Sequence, residues 1–268
     1  MTGPQGLTDD AELAVAAAEA GAAVVRDRFG TDVERFAKSA TDFATAADIE
    51  AEEAIRAVIA AARPADAFVG EESGRSGSAE RTWLVDPLCG TLNFAARTPL
   101  VAVNVALRAG AAVVAGASAD PFTGEVFWTD GSSAWVRRVG IDEPLAPTAE
   151  SRLVDVDLDP PFPNAPLFRP APLLTDDAFV TRFAPRVVST TLAVAWVAAG
   201  RRAAYVADVD LRDNVHFAAG VAICRAAGCV VTGLRGQPVD GGAHGLVVAA
   251  DADTHADLLD VIARHFPR

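Results

Sequence analysis

Three groups of acidic side chains stand near turn signals in the first third of the chain, where their oxygens could hold a divalent cation. They are Asp42 and Asp48 in KSATDFATAADIEAEE, Glu71 and Glu72 in FVGEES, and Asp86 in VDPLCGT. A single carboxylate after a strand is usually a solvated turn residue. Three such groups within about 45 residues are more typical of a hard-cation site, in which several oxygen ligands converge on one ion.

The loop after Asp86 adds residues that could hold a phosphate. Where a loop enters a helix, glycine permits close approach to backbone amides and threonine offers a hydroxyl, and Gly90 and Thr91 form such a pair. The same pair could be an ordinary helix cap. Cys89 stands directly before them, and a thiol is unexpected inside an acidic, glycine-containing loop of this kind.

Composition limits the classes of function. The 268 residues are 51% hydrophobic and 22% charged, which suffices for one large domain or two small ones. The net charge of -13 argues against nucleic acid and against an anionic membrane surface, and favours a small-molecule partner. No apolar run is long enough to span a membrane and no signal peptide is evident, so a cytoplasmic location is expected.

The other two cysteines are expected to be structural. Cys224 and Cys229 lie in the apolar run AICRAAGCVVTG, and the three cysteines of the chain show neither zinc-ribbon spacing nor a disulfide framework. Free cysteine is commonly buried as a small hydrophobic residue. We therefore expect both thiols to be buried and free.

Helices and short strands must position these residues. A first helix is predicted in TDDAELAVAAAEAGAAVVRDRFG, with Thr8 as its N-cap and Gly30 at its end, and a second over Ala46–Ala62, ended by Pro64. Short apolar runs between turn signals then predict strands. These runs are AFVG, TWLVD, VAVNVAL, AAVVAGAS, GEVFWTD and SSAWVRR.

A proline-rich segment divides the pattern. Residues 143–177, with DPPFPNAPLFRPAPLL at their centre, are predicted to be a linker or an active-site flank, which gives domains of 1–142 and 143–268. Beyond it the predicted helices are STTLAVAWVAAG, NVHFAAGVAICRAAG and DTHADLLDVIARH, and the predicted strands are RAAYVAD, CVVTG and GLVVAA. Because helices and strands mix without strict alternation, an α/β or α+β layered sandwich is expected.

The order and spacing of several motifs resemble the inositol monophosphatase family. These motifs are KSATDFATAAD, FVGEES, WLVDPLCGTLNFA, VAVNVAL, ASADPFTGEVFWTDGSSAW and AAGVAICRAAGCVVTG. The family belongs to a superfamily of metal-dependent, lithium-sensitive sugar phosphatases that includes fructose bisphosphatase. The resemblance implies an α+β fold, a layered αβαβα sandwich, whose C-terminal half completes the active site. It also implies that a homodimer is possible.

The resemblance assigns roles to the intact motif positions. The residues that match the ligands of the first metal, Mg²⁺ in the family, are Glu71, Asp86 and the main-chain carbonyl of Leu88. Thr91 and Asp48 match the pair that orients the water attacking phosphorus. Gly90, Thr91 and Ser189 match substrate-binding positions.

The second metal position departs from the family pattern. Typical members have two further aspartates, in DPxDGT and in WDxAAG, where this chain has Cys89 and His216. Mg²⁺ prefers oxygen to sulfur and nitrogen, so a second Mg²⁺ should bind poorly. Because both positions share an ion with Asp86 in the family, we expect Asp86, Cys89 and His216 to lie together.

Three interpretations of that triplet stay open. The triplet, at the second metal position, could hold Zn²⁺ or another softer ion, or that position could stay empty. Alternatively, an imidazole beside a thiol at a helix-entry loop could lower the pKa of Cys89 and make it a nucleophile, with His216 kept neutral by the start of its own helix. The third interpretation is a homologue that binds a ligand without catalysis.

The substrate region also differs from the family. Residues 188–192 read VSTTL where typical members read GSAAL, and the usual glutamate before WDxAAG has no clear counterpart, although Asp208, Asp210 or Asp213 could replace it. The favoured hypothesis is a divergent metal-dependent phosphomonoesterase acting on a small sugar or cyclitol phosphate, with Asp48, Thr91, Glu71, Cys89 and His216 as candidate catalytic residues.

Overall fold

The computed structural model describes residues 9–39, 43–159, 168–212, 214–239 and 244–266. Asp42 and Asp213 lie outside the described residues, as does 160–167 of the proline-rich segment. Within the described ranges, no helix has the length and apolar character needed to cross a bilayer. The chain forms two compact units: Met1–Glu143 with Thr190–Leu192 and Val215–Ile223, and Pro144–Ser189 with Ala193–Asn214 and Cys224–Arg268.

The described elements are, in chain order, α1 (Asp10–Arg28), β1 (Arg35–Ala37), β2 (Phe43–Thr45), α2 (Ala46–Ala62), β3 (Ala67–Gly70), β4 (Gly74–Ser76), β5 (Arg81–Cys89), α3 (Thr91–Ala95), β6 (Ala102–Ala109), β7 (Ala112–Ala119), β8 (Val126–Thr129), β9 (Ala134–Arg138), β10 (Ile141–Pro144), β11 (Leu153–Val156), a 3-10 helix (Ala171–Thr175), α4 (Asp177–Arg182), β12 (Ala184–Val187), α5 (Leu192–Ala198), β13 (Ala204–Asp210), α6 (Ala218–Ala226), β14 (Val230–Thr232), β15 (His244–Ala249) and α7 (Ala252–Ala263).

Side chains at their first turns fix the starts of α1 and α2. The N-cap of α1 is Asp9, whose carboxylate accepts a hydrogen bond from the amide of Ala11, so the predicted cap at Thr8 is wrong by one residue. At α2, the side chain of Thr45 caps the helix while Asp48 accepts from the amide of Thr45 at 2.7 Å. This reciprocal capping box places Asp48 at one defined point of the first unit.

An eight-stranded sheet forms the core of the first unit, in the order β10-β9-β8-β7-β6-β5-β3-β4. Helices α1 and α2 pack on one face, where Leu13, Ile55 and Trp83 are fully buried. On the other face, Ala219 at the start of α6 packs with Leu84 and Ala106. Burial of apolar side chains on both faces stabilises the central strands and fixes the ends that carry the candidate site.

Strand β5 carries the acidic loop. Its register with β6 pairs Asp86 with Asn104 and Cys89 with Ala102, so one extra residue on β5 forms a bulge between them. On its other side β5 runs parallel to β3, with Gly70 opposite Val85. Because parallel strands end at the same edge, the residues after Gly70 and after Val85 become neighbours, and the amide of Glu71 donates to the carbonyl of Val85 at 3.0 Å.

The second unit has a five-stranded sheet in the order β12-β11-β13-β15-β14. Strand β11 is parallel to both β12 and β13, and Val154 and Val156 are fully buried. The interpretation of 143–177 as a linker is therefore wrong for 153–156. Those residues form an interior strand, because four residues of LVDV suffice for a buried strand when neighbours cover both of its edges.

Candidate active site

Two adjacent carboxylates, the buried Asp86 and the partly exposed Glu71, lie at the ends of β5 and β3. The side chain of Asp86 has no solvent exposure, its Oδ1 accepts from the amide of Leu88 at 3.1 Å, and it is hydrogen-bonded to Glu71. Burial and the charge of Asp86 raise the pKa of Glu71 to about 8. Two carboxylates this close need a proton or a cation between them.

A lysine that the sequence analysis did not assign contacts this pair. The ammonium of Lys38 lies 2.9 Å from Oε1 of Glu71 and 2.7 Å from Oε1 of Glu72. Burial alone would lower the pKa of Lys38, but the two glutamates raise it. The carboxylate of Glu52 accepts from the amides of Glu72 and Ser73, at 2.9 and 3.0 Å, and holds the turn that carries Glu71.

Asp48 and Thr91 form a second predicted pair. Oγ1 of Thr91 donates to Oδ1 of Asp48 at 2.9 Å and lies 3.3 Å from the carbonyl oxygen of Leu88. Burial raises the pKa of Asp48 above its ordinary value. Gly90, directly before α3, has a φ of +105°, and a Cβ there would lie 3.0 Å from the carbonyl oxygen of Leu100. Glycine is therefore required at this turn.

Asp86, Cys89 and His216 lie together, as expected from the sequence. One candidate ligand atom from each falls within 4.8 Å of the others, the one such group found in the described part of the chain. Nδ1 of His216 lies 2.7 Å from Oδ2 of Asp86 and 4.0 Å from Oε2 of Glu71. His216 is also hydrogen-bonded to Cys89, and all four residues belong to the first unit.

Two electrostatic expectations for this triplet are wrong. Burial, together with the charge of Asp86, raises the pKa of Cys89 to about 11, so the thiol is not activated. Burial alone would lower the pKa of His216, but the carboxylate of Asp86 outweighs it and raises that pKa well above its ordinary value. Helix α6 begins only at Ala218, and its dipole is less important to His216 than the adjacent charge.

Sequence reasoning missed a hydrogen-bonded chain that leads to Cys89. Oγ of Ser118 donates to Oδ1 of Asn104, and Nδ2 of Asn104 donates to Oγ1 of Thr191, both at 2.8 Å. The hydroxyl of Thr191 is hydrogen-bonded to Cys89. All three polar residues are buried. The sequence feature that could have indicated this chain was Asn104, a polar residue within the apolar run VAVNVAL.

The remaining candidates belong to the second unit. The hydroxyl of Ser189 donates to the carboxylate of Asp159. Asp208 is buried in β13, and Asp210 at the end of that strand pairs with Arg212 at 3.1 Å. The role of Ser189 in substrate binding stays a prediction. Cys224 and Cys229 are buried free thiols, as predicted.

Residues 7–266 match the profile of the inositol monophosphatase family. The chain belongs to this family.

Curated relatives and solved structures of the inositol monophosphatase family extend over most of the chain. An inositol-1-monophosphatase of Caulobacter vibrioides is 34% identical over 91% of this chain and 97% of its own length. An inositol-1-monophosphatase of Mycobacterium leprae is 35% identical over 91% of this chain and 89% of its own length. The extragenic suppressor protein suhB of Bartonella henselae has a TM-score of 0.80 at 25% identity, covering 94% of this chain and 97% of its own.

Membership confirms the α+β fold expected from the motifs, the layered αβαβα sandwich type of the inositol monophosphatase family. It also supports a metal-dependent phosphatase, typically one that uses Mg²⁺, acting on a phosphorylated small molecule. The first metal position fits this chemistry, because Glu71 and Asp86 are adjacent carboxylates that offer only oxygen ligands. The second position does not fit Mg²⁺, because Cys89 and His216 contribute sulfur and nitrogen.

Proposed function

We propose that this protein is a metal-dependent phosphomonoesterase that acts on a small sugar or cyclitol phosphate. The observation that carries the proposal is the hydrogen bond from Thr91 to Asp48, made 3.3 Å from the carbonyl oxygen of Leu88. That carbonyl and the Glu71–Asp86 pair are the predicted ligands of one ion. A proton-accepting pair therefore lies next to the predicted metal position.

Glu71, Asp86 and the carbonyl of Leu88 would hold one Mg²⁺. Bound there, the ion supplies positive charge against the phosphoryl oxygens and makes water more acidic. The amide of Leu88 donates to Oδ1 of Asp86, so the backbone of the bulge holds this carboxylate in one orientation. Lys38 already contributes one positive charge to Glu71, and the ion would compete with it for that carboxylate.

Thr91 and Asp48 would activate the attacking water. A hydroxyl that donates to a carboxylate can accept a hydrogen bond from water, so Thr91 can orient the nucleophile while its own proton points to Asp48. Proton transfer then runs from the water through Oγ1 of Thr91 to Asp48. Burial raises the pKa of Asp48, which makes it a stronger base than a solvated aspartate.

Two observations bear on the substrate. The relatives from Caulobacter and Mycobacterium leprae carry the name inositol-1-monophosphatase, which supports a cyclitol or sugar phosphate. The sequence VSTTL at 188–192 departs from the usual GSAAL, so the proposal covers the class and not one inositol phosphate. The backbone at Gly90 and Thr91 is the proposed phosphate contact.

The alternative with Cys89 as a covalent nucleophile is not favoured. Nucleophilic cysteines act as thiolates, and the pKa of Cys89 near 11 keeps the metal-free thiol protonated at neutral pH. The homologue without catalysis is not favoured either, because both the Glu71–Asp86 pair and the Asp48–Thr91 pair are intact.

The test is phosphate release from a panel of sugar, inositol and nucleotide monophosphates with Mg²⁺, Mn²⁺ or Zn²⁺. Asp48→Asn should lower kcat by about 10²- to 10⁴-fold, because the terminal proton acceptor is lost. Asp86→Asn should abolish turnover, whereas Asp27→Asn on the exposed side of α1 should leave it unchanged. Absence of turnover on the whole panel, or full activity of Asp48→Asn, would overturn the proposal.

A further inference from the structure

The triplet of Asp86, Cys89 and His216 offers one oxygen, one sulfur and one nitrogen to a common point. Mg²⁺ takes oxygen ligands and gains little from thiolate or imidazole. Zn²⁺ and similar first-row ions accept all three donors, and three protein ligands with one open position is the usual form of a catalytic zinc site.

We propose that Asp86, Cys89 and His216 form a binding site for a soft divalent ion of the Zn²⁺ class, with Cys89 bound as the thiolate and the fourth position open to water or substrate. This inference goes beyond the proposed function and does not depend on it, because binding of the ion can be measured without any turnover.

The distances suit such an ion after a small adjustment. Ligand atoms about 2.0–2.3 Å from a tetrahedral Zn²⁺ lie about 3.2–3.7 Å from one another. The three atoms of the triplet lie within 4.8 Å, and Nδ1 of His216 is 2.7 Å from Oδ2 of Asp86. The shared proton of that contact is what an ion would displace. The nitrogen and oxygen then separate by about half an ångström to reach ligand spacing.

Charge also favours this ion. With Cys89 as thiolate and His216 neutral, the triplet carries two negative charges, one on sulfur and one on Asp86, which balance a divalent cation. Side-chain exposure is 39% for His216 and zero for Asp86, so the group is partly enclosed. A partly enclosed pair of negative charges binds a cation more strongly than the same pair in water.

A buried hydroxyl is positioned to donate a hydrogen bond to the sulfur of Cys89 once an ion has replaced its proton. Asn104 donates to Oγ1 of Thr191, so the proton of the Thr191 hydroxyl is available to the sulfur of Cys89. Ser118 in turn donates to Asn104 and fixes the orientation of its amide. Such outer hydrogen bonds orient metal ligands and stabilise their charged forms.

The experiment is a titration of the reduced, metal-free protein with Co²⁺, followed by competition with Zn²⁺. Wild type should develop a thiolate-to-cobalt charge-transfer band that saturates at one equivalent of Co²⁺. Zn²⁺ should remove this band, and excess Mg²⁺ should leave it in place. Cys89→Ser should abolish the band and weaken Zn²⁺ binding by about 100-fold or more, because loss of a direct ligand costs more than the 10- to 100-fold typical of the residues that orient ligands. The matched control, Cys229→Ser in the second unit, should keep both the cobalt–thiolate band and the wild-type affinity for Zn²⁺.

A second pair of changes restores oxygen ligands. The double variant Cys89→Asp with His216→Asp should lose the cobalt–thiolate band and gain Mg²⁺ binding in calorimetry, because it presents three carboxylates to the ion. Circular dichroism checks that each variant is folded. If Cys89→Ser fails that check, loss of Zn²⁺ affinity in His216→Gln carries the test.

The proposal is overturned if the wild-type protein gives no thiolate band with Co²⁺, or if Cys89→Ser binds Zn²⁺ as tightly as wild type. Phosphate release is measured separately on the same preparations. A thiolate band without phosphatase activity would contradict the proposed function alone, and activity with Mg²⁺ but without a band would contradict this inference alone.

Discussion

Nδ1 of His216 lies 2.7 Å from Oδ2 of Asp86, although the two residues are 130 positions apart in the sequence. Asp86 is therefore shared: it is hydrogen-bonded to Glu71, directly after β3, and to His216 at the approach to α6. The carboxylate pair and the mixed sulfur–nitrogen–oxygen triplet meet at this one side chain. Changes at Asp86 should consequently affect both proposed ions, whereas changes at Glu71 or Cys89 should affect one of them.

The hydroxyl of Thr91 should matter more than its shape. Thr91→Val keeps the volume but removes the atom that donates to Asp48, so kcat for phosphate release should fall by about 100-fold or more. Thr91→Ser keeps the hydroxyl and should retain most of the activity. Steady-state kinetics on the best substrate of the panel measure both, and equal activity of the valine and serine variants would contradict the role of Thr91.

Mg²⁺ should stabilise the folded protein through Glu71 and Asp86. A ligand that binds only the native state adds about 2.7 kcal/mol to the free energy of unfolding at 100 times its Kd. We expect Tm to rise with MgCl₂ in wild type and to stay nearly constant in Glu71→Gln, which has one charge less at the pair. Glu53→Gln, on the exposed side of α2, is the control and should keep the full Mg²⁺ response.

Asn104 should be required for stability and for the position of Cys89. Asn104→Leu removes the donor to Thr191 and the acceptor for Ser118, and leaves two buried hydroxyls without that partner. The free energy of unfolding should fall by about 2 kcal/mol, as for other unsatisfied buried polar groups. Urea unfolding measures this loss. Leu92→Ala at an exposed site, 61% accessible, should change it little.

Arg137 should make stability depend on pH. Its guanidinium pairs with Glu12 at 2.7 Å and with Asp142 at 2.8 Å, and these hydrogen bonds lower the pKa of both carboxyl groups. The ordinary pKa values are 4.5 for Glu12 and 3.8 for Asp142, and both are lowered in the folded protein. The ion pairs therefore contribute fully to the free energy of unfolding above these ordinary values, and the contribution is lost as pH falls through the lowered folded-state values.

Arg137→Met should therefore reduce stability at pH 7 by about 1 kcal/mol and reduce it progressively less below pH about 4. Chemical unfolding from pH 7 to 3 gives the comparison, with the exposed Arg75→Met as control. A difference between wild type and Arg137→Met that stayed constant over this range would show that the two ion pairs do not contribute.

Local signals predicted the elements that carry the motifs. The helical pattern over Ala46–Ala62 and Pro64 after it predicted α2, and apolar runs located β3, β5, β6 and β7. Short elements without such signals were missed. Strand β1 is RFA and its three residues are exposed, and β12 is APRV, so neither shows an apolar alternation that could distinguish it from a loop.

The sequence predicted which motif residues form the candidate site, but it did not predict the pKa shifts within that site. Motif order was enough to expect Glu71, Asp86, Cys89 and His216 in one place. The direction of the pKa of Cys89 was wrong because it depends on burial and on the nearness of the Asp86 charge, and neither can be read from spacing. Lys38, Asn104 and Thr191 were missed for a related reason: their roles arise from contacts between distant segments, as between Asn104 and Thr191, 87 positions apart.

The division of the chain into units has a consequence for how the protein is made. Residues 215–223 belong to the first unit although 144–189 and 193–214 belong to the second. During synthesis the chain emerges from the N-terminus, so a nascent chain that ends at Glu143 has Asp86 and Cys89 but not His216. The triplet can close only after His216 has been synthesised, since contacts between distant segments form after the intervening chain is available. A fragment that ends before residue 216 is consequently unable to form this site, and occupancy by an ion marks a chain that has grown past that point.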